Sequence, residues 1–423
     1  MKEVIYCSRC THPITRPRIR IDESGLCNGC LRTEEKKHID WEAKEAELKE
    51  LIQASLEKSP GREYDCIVPV SGGKDSTFQA YYASKVLNLR TLCVNITGFL
   101  PTKEGMHNLR NLSENLPVDV MSIMPNMDVW GRLSRKMLED FGDPWPPRQY
   151  LMFSGIARIA IEKKIPLMLL GENGDREYGG SDDDAFTKLD NEGVHARIRS
   201  AKNGFLRPEH WTEYGFSEAE IAIYQEPSDT ELRAAGVQRI FLSDYLPWNN
   251  NQHMHVALNL VGGFMMREDR SPGTYTFGYS IDDDLYDLYI WFTYPKFGFC
   301  RTTKYTSKDI QEGKITREQG IRMVADYDGE IPWRAVDRFL HRTDMTENEF
   351  WDVVAKFVGD EENLKREAEK FGTEMRTPAW EKIGERKWRL RNPIHGQERI
   401  LELPMPRPLH NADQRSENLN YHF

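Results

Sequence analysis

The chain has 423 residues, and single hydrophobic cores stop growing at about 250–300 residues, so two or three units are expected. Apolar residues make up 39 % and charged ones 29 %, which excludes a disordered polymer. Against 57 basic side chains stand 67 acidic ones, a net charge of −10 that disfavours unspecific phosphate neutralisation, so no nucleic acid is expected as partner.

The first forty residues are poor in large apolar side chains but carry Cys7, Cys10, Cys27 and Cys30, a C-x2-C pair repeated after sixteen residues. Each pair presents two thiolates from one tight turn, and two such turns close a tetrahedral shell with no position left for water. A structural Zn2+ in a ribbon-like module spanning 1–40 is the expectation. Arg16, Arg18 and Arg20 read as a solvated basic face. A connecting helix at 41–62 follows, with Leu48, Leu51, Ile52 and Leu56 at helical spacing until Pro60-Gly61.

From 63 the rhythm changes. Apolar runs at 66–70, 91–96, 118–124 and 165–171 alternate with helical patterns marked by Phe78 and Tyr82, by Leu109 and Leu112, by Leu133 and Met137, and by the segment 149–164. Such alternation predicts an α/β fold with a parallel sheet and helices on both faces, in which ligands bind beyond the carboxyl ends of the strands. This unit is expected to run over 63–250, with an insertion or elaborated loop at about 179–245. A mainly helical region at 251–403 and a tail at 404–423 complete the chain. No apolar run is long enough to span a bilayer, so a cytoplasmic protein without membrane insertion is expected.

At the end of the first apolar run stands SGGKDS: Ser71, Gly72, Gly73, Lys74, Asp75 and Ser76. A strand ending in two glycines before a helix leaves several backbone N–H groups facing one concavity, where the helix dipole also favours an anion. Lys74 adds a point charge and Ser76 a hydroxyl. Asp75, which repels phosphate directly, is expected to act through Mg2+. GENGD at 171–175 ends another buried strand, which sets Glu172, Asn173 and Asp175 at the same edge. Three patterns are read as having no such role: the pair His253 and His255, whose rings should diverge on a helix, the triplets Asp182–Asp184 and Asp282–Asp284, read as solvated turns, and Trp248, read as core.

SGGKDS after a first strand resembles the signature of the PP-loop ATP pyrophosphatases, which implies a five-stranded parallel sheet and cleavage of ATP between its α and β phosphates. By that resemblance the six loop residues hold pyrophosphate, and Asn95 and Ile96 at the end of the second strand meet adenine; with Asp175 of GENGD, Lys74 and Asp75 are the catalytic candidates. The longer chain, with YCSRC…GLCNGC, SGGKDS, GENG, DYLPW, DYDGEIP and EFW, is similar to the N-acetyl sugar amidotransferases of bacterial surface-glycan (lipopolysaccharide O-antigen) biosynthesis. That resemblance implies a nucleotide-linked acetamido sugar as substrate, a 2,3-diacetamido uronic acid being expected, and an acetamidino sugar, AMP and pyrophosphate as products. The rival reading is a zinc-containing PP-loop tRNA thiolation enzyme, but the remaining Cys66, Cys93 and Cys300 stand singly, the first two in apolar runs where inert thiols are expected. No cysteine stands after the initial Met or on a glycine-flanked turn, as a glutaminase nucleophile requires. Ammonia is therefore expected from a separate glutaminase subunit like that of histidine biosynthesis, working with a cyclase-like barrel partner.

Overall fold

The computed structural model describes residues 3–174, 177, 207–362, 364–366 and 378–404. After the two cysteine turns come helix α1 (Asn28–Lys36) and helix α2 (Trp41–Glu57). The Asp40 carboxylate caps α2 by accepting the Ala43 N–H at 3.0 Å. Leu48 and Ile52 turn from α2 into the core.

The central unit runs β1 (Cys66–Val70), α3 (Lys74–Tyr81), β2 (Thr91–Ile96), α4 (Lys103–Asn115), β3 (Val118–Ile123), α5 (Met127–Phe141), α6 (Pro146–Glu162) and β4 (Leu167–Leu170). Two short helices, α7 (Glu218–Ile221) and α8 (Asp229–Ala234), precede β5 (Gln238–Phe241). All pairings are parallel and the order is β3-β2-β1-β4-β5, the five-stranded sheet expected of a PP-loop fold. Strands β1, β2 and β4 are buried almost throughout because both faces are covered, whereas the edge strand β3 (VDVMSI) is largely open. Val68, Val70 and Leu169 pack with Phe78, Leu109 and Leu112 on one face, whereas Ile67, Leu92, Val94 and Met168 pack with Ile156, Ala157 and Ala160 on the other. The chain builds outward from β1 through β2 to β3, then returns to place β4 on the other side of β1. Strand β1 therefore ends at the topological switch point, where open α/β sheets bind ligands.

Part of the stretch 179–245 that reads as an insertion belongs to the sheet itself. Strand β5 pairs Leu169 with Ile240, and its pattern is obscure because Arg239, 3 % exposed, is buried in the middle of it beside Glu226. Residues 179–206 lie outside the described residues.

Beyond β5 come α9 (Asn250–His255), α10 (Asp284–Trp291), α11 (Thr293–Phe297), α12 (Arg301–Gln311), α13 (Arg317–Tyr327), α14 (Trp333–Thr343) and α15 (Glu347–Phe357). Thr316 and Thr346 open α13 and α15 with full capping boxes. Helices α10, α11, α14 and α15 share an aromatic core with α5, in which Trp130, Leu133 and Met137 meet Trp291, Phe339, Phe350 and Trp351. The region expected to be mainly helical also closes with a three-stranded antiparallel sheet, β6 (Trp380–Gly384), β7 (Lys387–Leu390) and β8 (Ile400–Glu402). Only Trp380, Trp388, Leu390 and Leu401 of these strands turn inward, too few for a periodic signal. Residues 405–423 lie outside the described residues. Among the described residues no helix is long and apolar enough to cross a membrane.

Candidate functional site

Between β1 and α3 the chain turns through Ser71, Gly72 and Gly73. Gly72 has φ +87°, and a Cβ there would stand 2.2 Å from the Gly105 carbonyl oxygen, so the loop lies directly on α4. Asn108 of α4 donates to the carbonyls of Gly72 and Met265, both at 3.0 Å, and accepts the Met265 N–H at 2.7 Å. Ser76 Oγ accepts the Ser71 N–H at 3.2 Å and donates to the Gly73 carbonyl at 3.0 Å, which fixes the loop's curvature from within. Gly73 caps α3 without a side chain, so the first amides of the helix, those of Lys74, Asp75 and Ser76, have no carbonyl of the preceding turn to bond. Such an end attracts anions.

Lys74 is only 5 % exposed. Its Nζ donates to both Asp75 oxygens, at 2.8 and 2.7 Å, and to Asn250 Oδ1 at 2.9 Å, and lies 4.7 Å from the centre of the Tyr279 ring. Asp75 also accepts from His253 Nδ1 at 2.7 Å. The His253 ring is fully buried, stacked on Phe78 at 4.1 Å and met edge-on by Trp248 at 4.4 Å. Burial pushes the His253 pKa below its ordinary value, although the hydrogen bond to Asp75 pulls the other way. The ring is then the neutral imidazole with its proton on Nδ1, and Nε2 is a buried acceptor without a protein partner among the described residues. Burial would raise the Asp75 carboxyl, but Lys74 and His253 outweigh it and hold the group below the usual carboxylate range. A buried cation at a helix N-terminus, fixed by a carboxylate and an amide, is an anion site with its charge already positioned.

The other candidates land at the same sheet edge with different tasks. Asn95, 3 % exposed, donates to the Val70 carbonyl at 2.9 Å and ties β2 to the end of β1. Ile96 buries its side chain in the core, leaving its backbone as the part that reaches the edge. Asn173 donates its backbone N–H to Ser243 Oγ at 2.7 Å and its Nδ2 to Asp244 at 3.2 Å, while Glu172 beside it is exposed. Asp175 and the triplet Asp182–Asp184 lie outside the described residues. Trp248 packs in the core as expected.

Two features differ from the sequence reading. His253, set aside there as half of a metal pair, belongs to the loop site; its signal was a histidine on a short helix just after β5, at the sheet's ligand edge. Asp282–Asp284, read as a solvated turn, is mostly buried. Asp283 accepts from the amides of Phe99 and Leu100, each at 3.0 Å, and Asp284 pairs with Arg267, Arg334 and Arg338. Arg148 of α6, Arg267, and Arg334 and Arg338 of α14 together neutralise the triplet, which no local pattern discloses.

The four cysteines are buried and their Sγ atoms lie within 4.8 Å of one another. Cys7 and Cys30 are 3.7 Å apart and Cys10 and Cys27 3.6 Å. A tetrahedral ion with metal–sulfur bonds of about 2.3 Å requires sulfurs ~3.8 Å apart, so the set fits zinc. The module docks on α12 and α13. Thr11 bonds Thr306 and Ser307 at 2.8 Å, Gln311 reaches Cys30 Sγ at 3.5 Å, and Arg317 donates to the Cys7 carbonyl at 3.2 Å. Buried Glu177, just past GENGD, pairs with Lys36 of α1 and with Lys308 of α12. The remaining thiols are inert: burial pushes Cys66 up to about 12 and raises Cys93 and Cys300 as well.

Residues 273–381 match the family described as LPS biosynthesis protein WbpG-like, C-terminal domain. An uncharacterised protein of Methanocaldococcus jannaschii is 32 % identical over 116 residues, which are 27 % of this chain and 41 % of that protein. The chain thus spans less than half the length of the curated relative it matches. An NMN synthetase from Francisella tularensis superposes with a TM-score of 0.28 and 14 % identity, over 51 % of this chain and 95 % of that one, a likeness too loose to build on.

Proposed function

We propose that the chain is an ATP-dependent amidotransferase that converts an acetamido group of a nucleotide-linked sugar, a 2,3-diacetamido uronic acid, into an acetamidino group for lipopolysaccharide O-antigen or related glycan assembly. The observation that carries this reading is the buried Lys74 ammonium at the head of α3, held by Asp75 and Asn250 at the sheet's switch point. The match of residues 273–381 to the WbpG-like domain of lipopolysaccharide biosynthesis supports the substrate class.

The chemistry has two steps. The acetamido carbonyl oxygen attacks the α-phosphorus of ATP, a new P–O bond forms, the bond to the β-phosphate oxygen breaks, and pyrophosphate leaves. Ammonia then adds to the activated carbon, the C–O bond breaks, and AMP departs with the former carbonyl oxygen; two protons are released, one of which the basic amidine retains. The amides of Lys74, Asp75 and Ser76 and the Lys74 ammonium face the leaving pyrophosphate and stabilise charge that develops as it separates. Asp75 and His253 hold that ammonium in place. The Asp75 oxygens are already engaged by Lys74 and His253, so they fit a metal poorly; Mg2+ would arrive coordinated by the triphosphate. The Zn2+ we assign to Cys7, Cys10, Cys27 and Cys30 supplies folding free energy to the N-terminal module and takes no part in the reaction. Ammonia is assigned to a separate glutaminase subunit with a barrel partner.

The test is release of AMP and pyrophosphate from ATP in the presence of ammonium and the diacetamido sugar nucleotide. Release should depend on the sugar and fall at least 100-fold in Lys74→Ala without loss of fold. Release of ADP in place of AMP, or equal AMP release by Lys74→Ala, would overturn the reading.

A further inference from the structure

Beside the phosphate loop, two series of contacts lead from the site to an arc of aromatic and charged side chains, some buried and some partly open. Asp282 lies 3.6 Å from where a Cβ on Gly73 would stand. It accepts from Arg148 at 3.2 Å, and the Arg148 guanidinium lies 5.2 Å from the Trp145 ring. Trp145 stacks on Tyr289, with ring centres 5.4 Å apart and planes at 18°, and meets Tyr286 at 5.5 Å. From the other side, Lys74 leads through Tyr279 to Tyr305, 5.5 Å away, and Arg301 lies between the rings of Tyr305 and Tyr286. Finally, Lys304 Nζ donates to the Tyr286 hydroxyl at 3.3 Å. Tyr286 is the point where both series and Lys304 meet.

Trp145 packs against the aromatic core, but whereas Trp130, Trp211, Trp291 and Trp351 are at most 1 % exposed, Trp145 is partly open, as are Tyr286, Tyr289 and Lys304. Two stacked rings offer a flat apolar face, and the adjacent ammonium is a compact point charge. A ring-bearing, anionic acceptor needs both, close to where the phosphates lie. We propose that this arc is the acceptor subsite, with Trp145 and Tyr289 as the platform for the pyranose ring and Lys304 as the partner of its carboxylate. The assignment rests on the amidotransferase reading of the phosphate loop.

Calorimetric titration of the full chain tests it, with a UDP-linked 2,3-diacetamido uronic acid, with UDP-N-acetylglucosamine, which lacks the carboxylate, and separately with a non-hydrolysable ATP analogue. Trp145→Ala should weaken both sugar nucleotides about tenfold, and Trp145→Phe should recover most of that loss. Lys304→Met should weaken the uronate about tenfold and the neutral sugar less than twofold. The ATP analogue should bind all three variants within twofold of the unaltered protein. Should Trp145→Ala fail to fold, Lys304→Met decides. An unaltered chain that binds no ATP analogue would sink the phosphate-loop reading and this assignment with it. An unaltered chain that binds the analogue but not the sugar nucleotides, or variants that bind them undiminished, would overturn the subsite alone.

Discussion

The loop proposed to hold phosphate is shaped by a contact that tolerates no side chain, and alanine at Gly72 measures it. Two costs arise. The backbone there has φ +87°, where an alanine loses about 1–2 kcal/mol. Its Cβ would also stand 2.2 Å from the Gly105 carbonyl oxygen and 2.9 Å from the carbonyl carbon, and backbone cannot rotate away as a side-chain tip can. Forcing such an overpacked contact apart costs about 1–3 kcal/mol, so Gly72→Ala should lose about 2–5 kcal/mol in all. Gly61 provides the control, because its φ is +73° but nothing lies within 4 Å of an added Cβ. Gly61→Ala should lose only the backbone part, about 1–2 kcal/mol. Denaturant midpoints of the two variants, with binding of an ATP analogue measured alongside, separate the costs. Gly72→Ala should be the less stable of the two and should lose the nucleotide, while Gly61→Ala should bind it normally. Equal stability, or intact nucleotide binding by Gly72→Ala, would refute the close approach of loop and helix.

Other expectations follow from the same geometry. Cys27→Ser should reduce bound zinc from one per chain to none by atomic absorption, and should raise hydrogen exchange over 301–311, where Thr11 and Gln311 tie the module to α12. Because the folded His253 has a pKa below its ordinary value, the unfolded chain takes up the proton first as pH falls below about 6.5. The histidine therefore contributes stability that is present above that pH and lost below it, and thermal scans from pH 7 to 5 should show a smaller decline for His253→Gln than for the unaltered chain. Asp284→Asn leaves largely buried Arg338 short of a counter-charge, while Arg267 keeps Asp287, and should cost about 3–5 kcal/mol by chemical denaturation; a loss under 1 kcal/mol would show that the network is solvated.

What the sequence made legible follows from where its signals are local. Strands β1 and β2 are buried on both faces, so CIVPV is an unbroken apolar run and TLCVNI a mostly apolar one, and the four cysteines carry their geometry in their spacing. The loop likewise declares itself within six residues. Strand β5 did not, because buried Arg239 interrupts it and is neutralised by Glu226, a residue outside the strand. His253 stayed hidden because its meaning lies in a bond to Asp75, 178 residues earlier in the chain. The Asp282–Asp284 triplet was misread for the same reason: an acidic run implies solvent unless arginines from elsewhere are known to meet it. Partners outside the local pattern decided each of these cases.

The central claim is that ATP activates the acetamido oxygen, and the fate of that oxygen tests it most directly. The sugar nucleotide is prepared with 18O in its acetamido carbonyl and turned over with ATP and ammonium, and the AMP and sugar are weighed by mass spectrometry. The account predicts AMP heavier by two mass units, unlabelled pyrophosphate and a sugar that has exchanged its labelled oxygen for NH. AMP without 18O, alongside a sugar that keeps its labelled carbonyl, would contradict it.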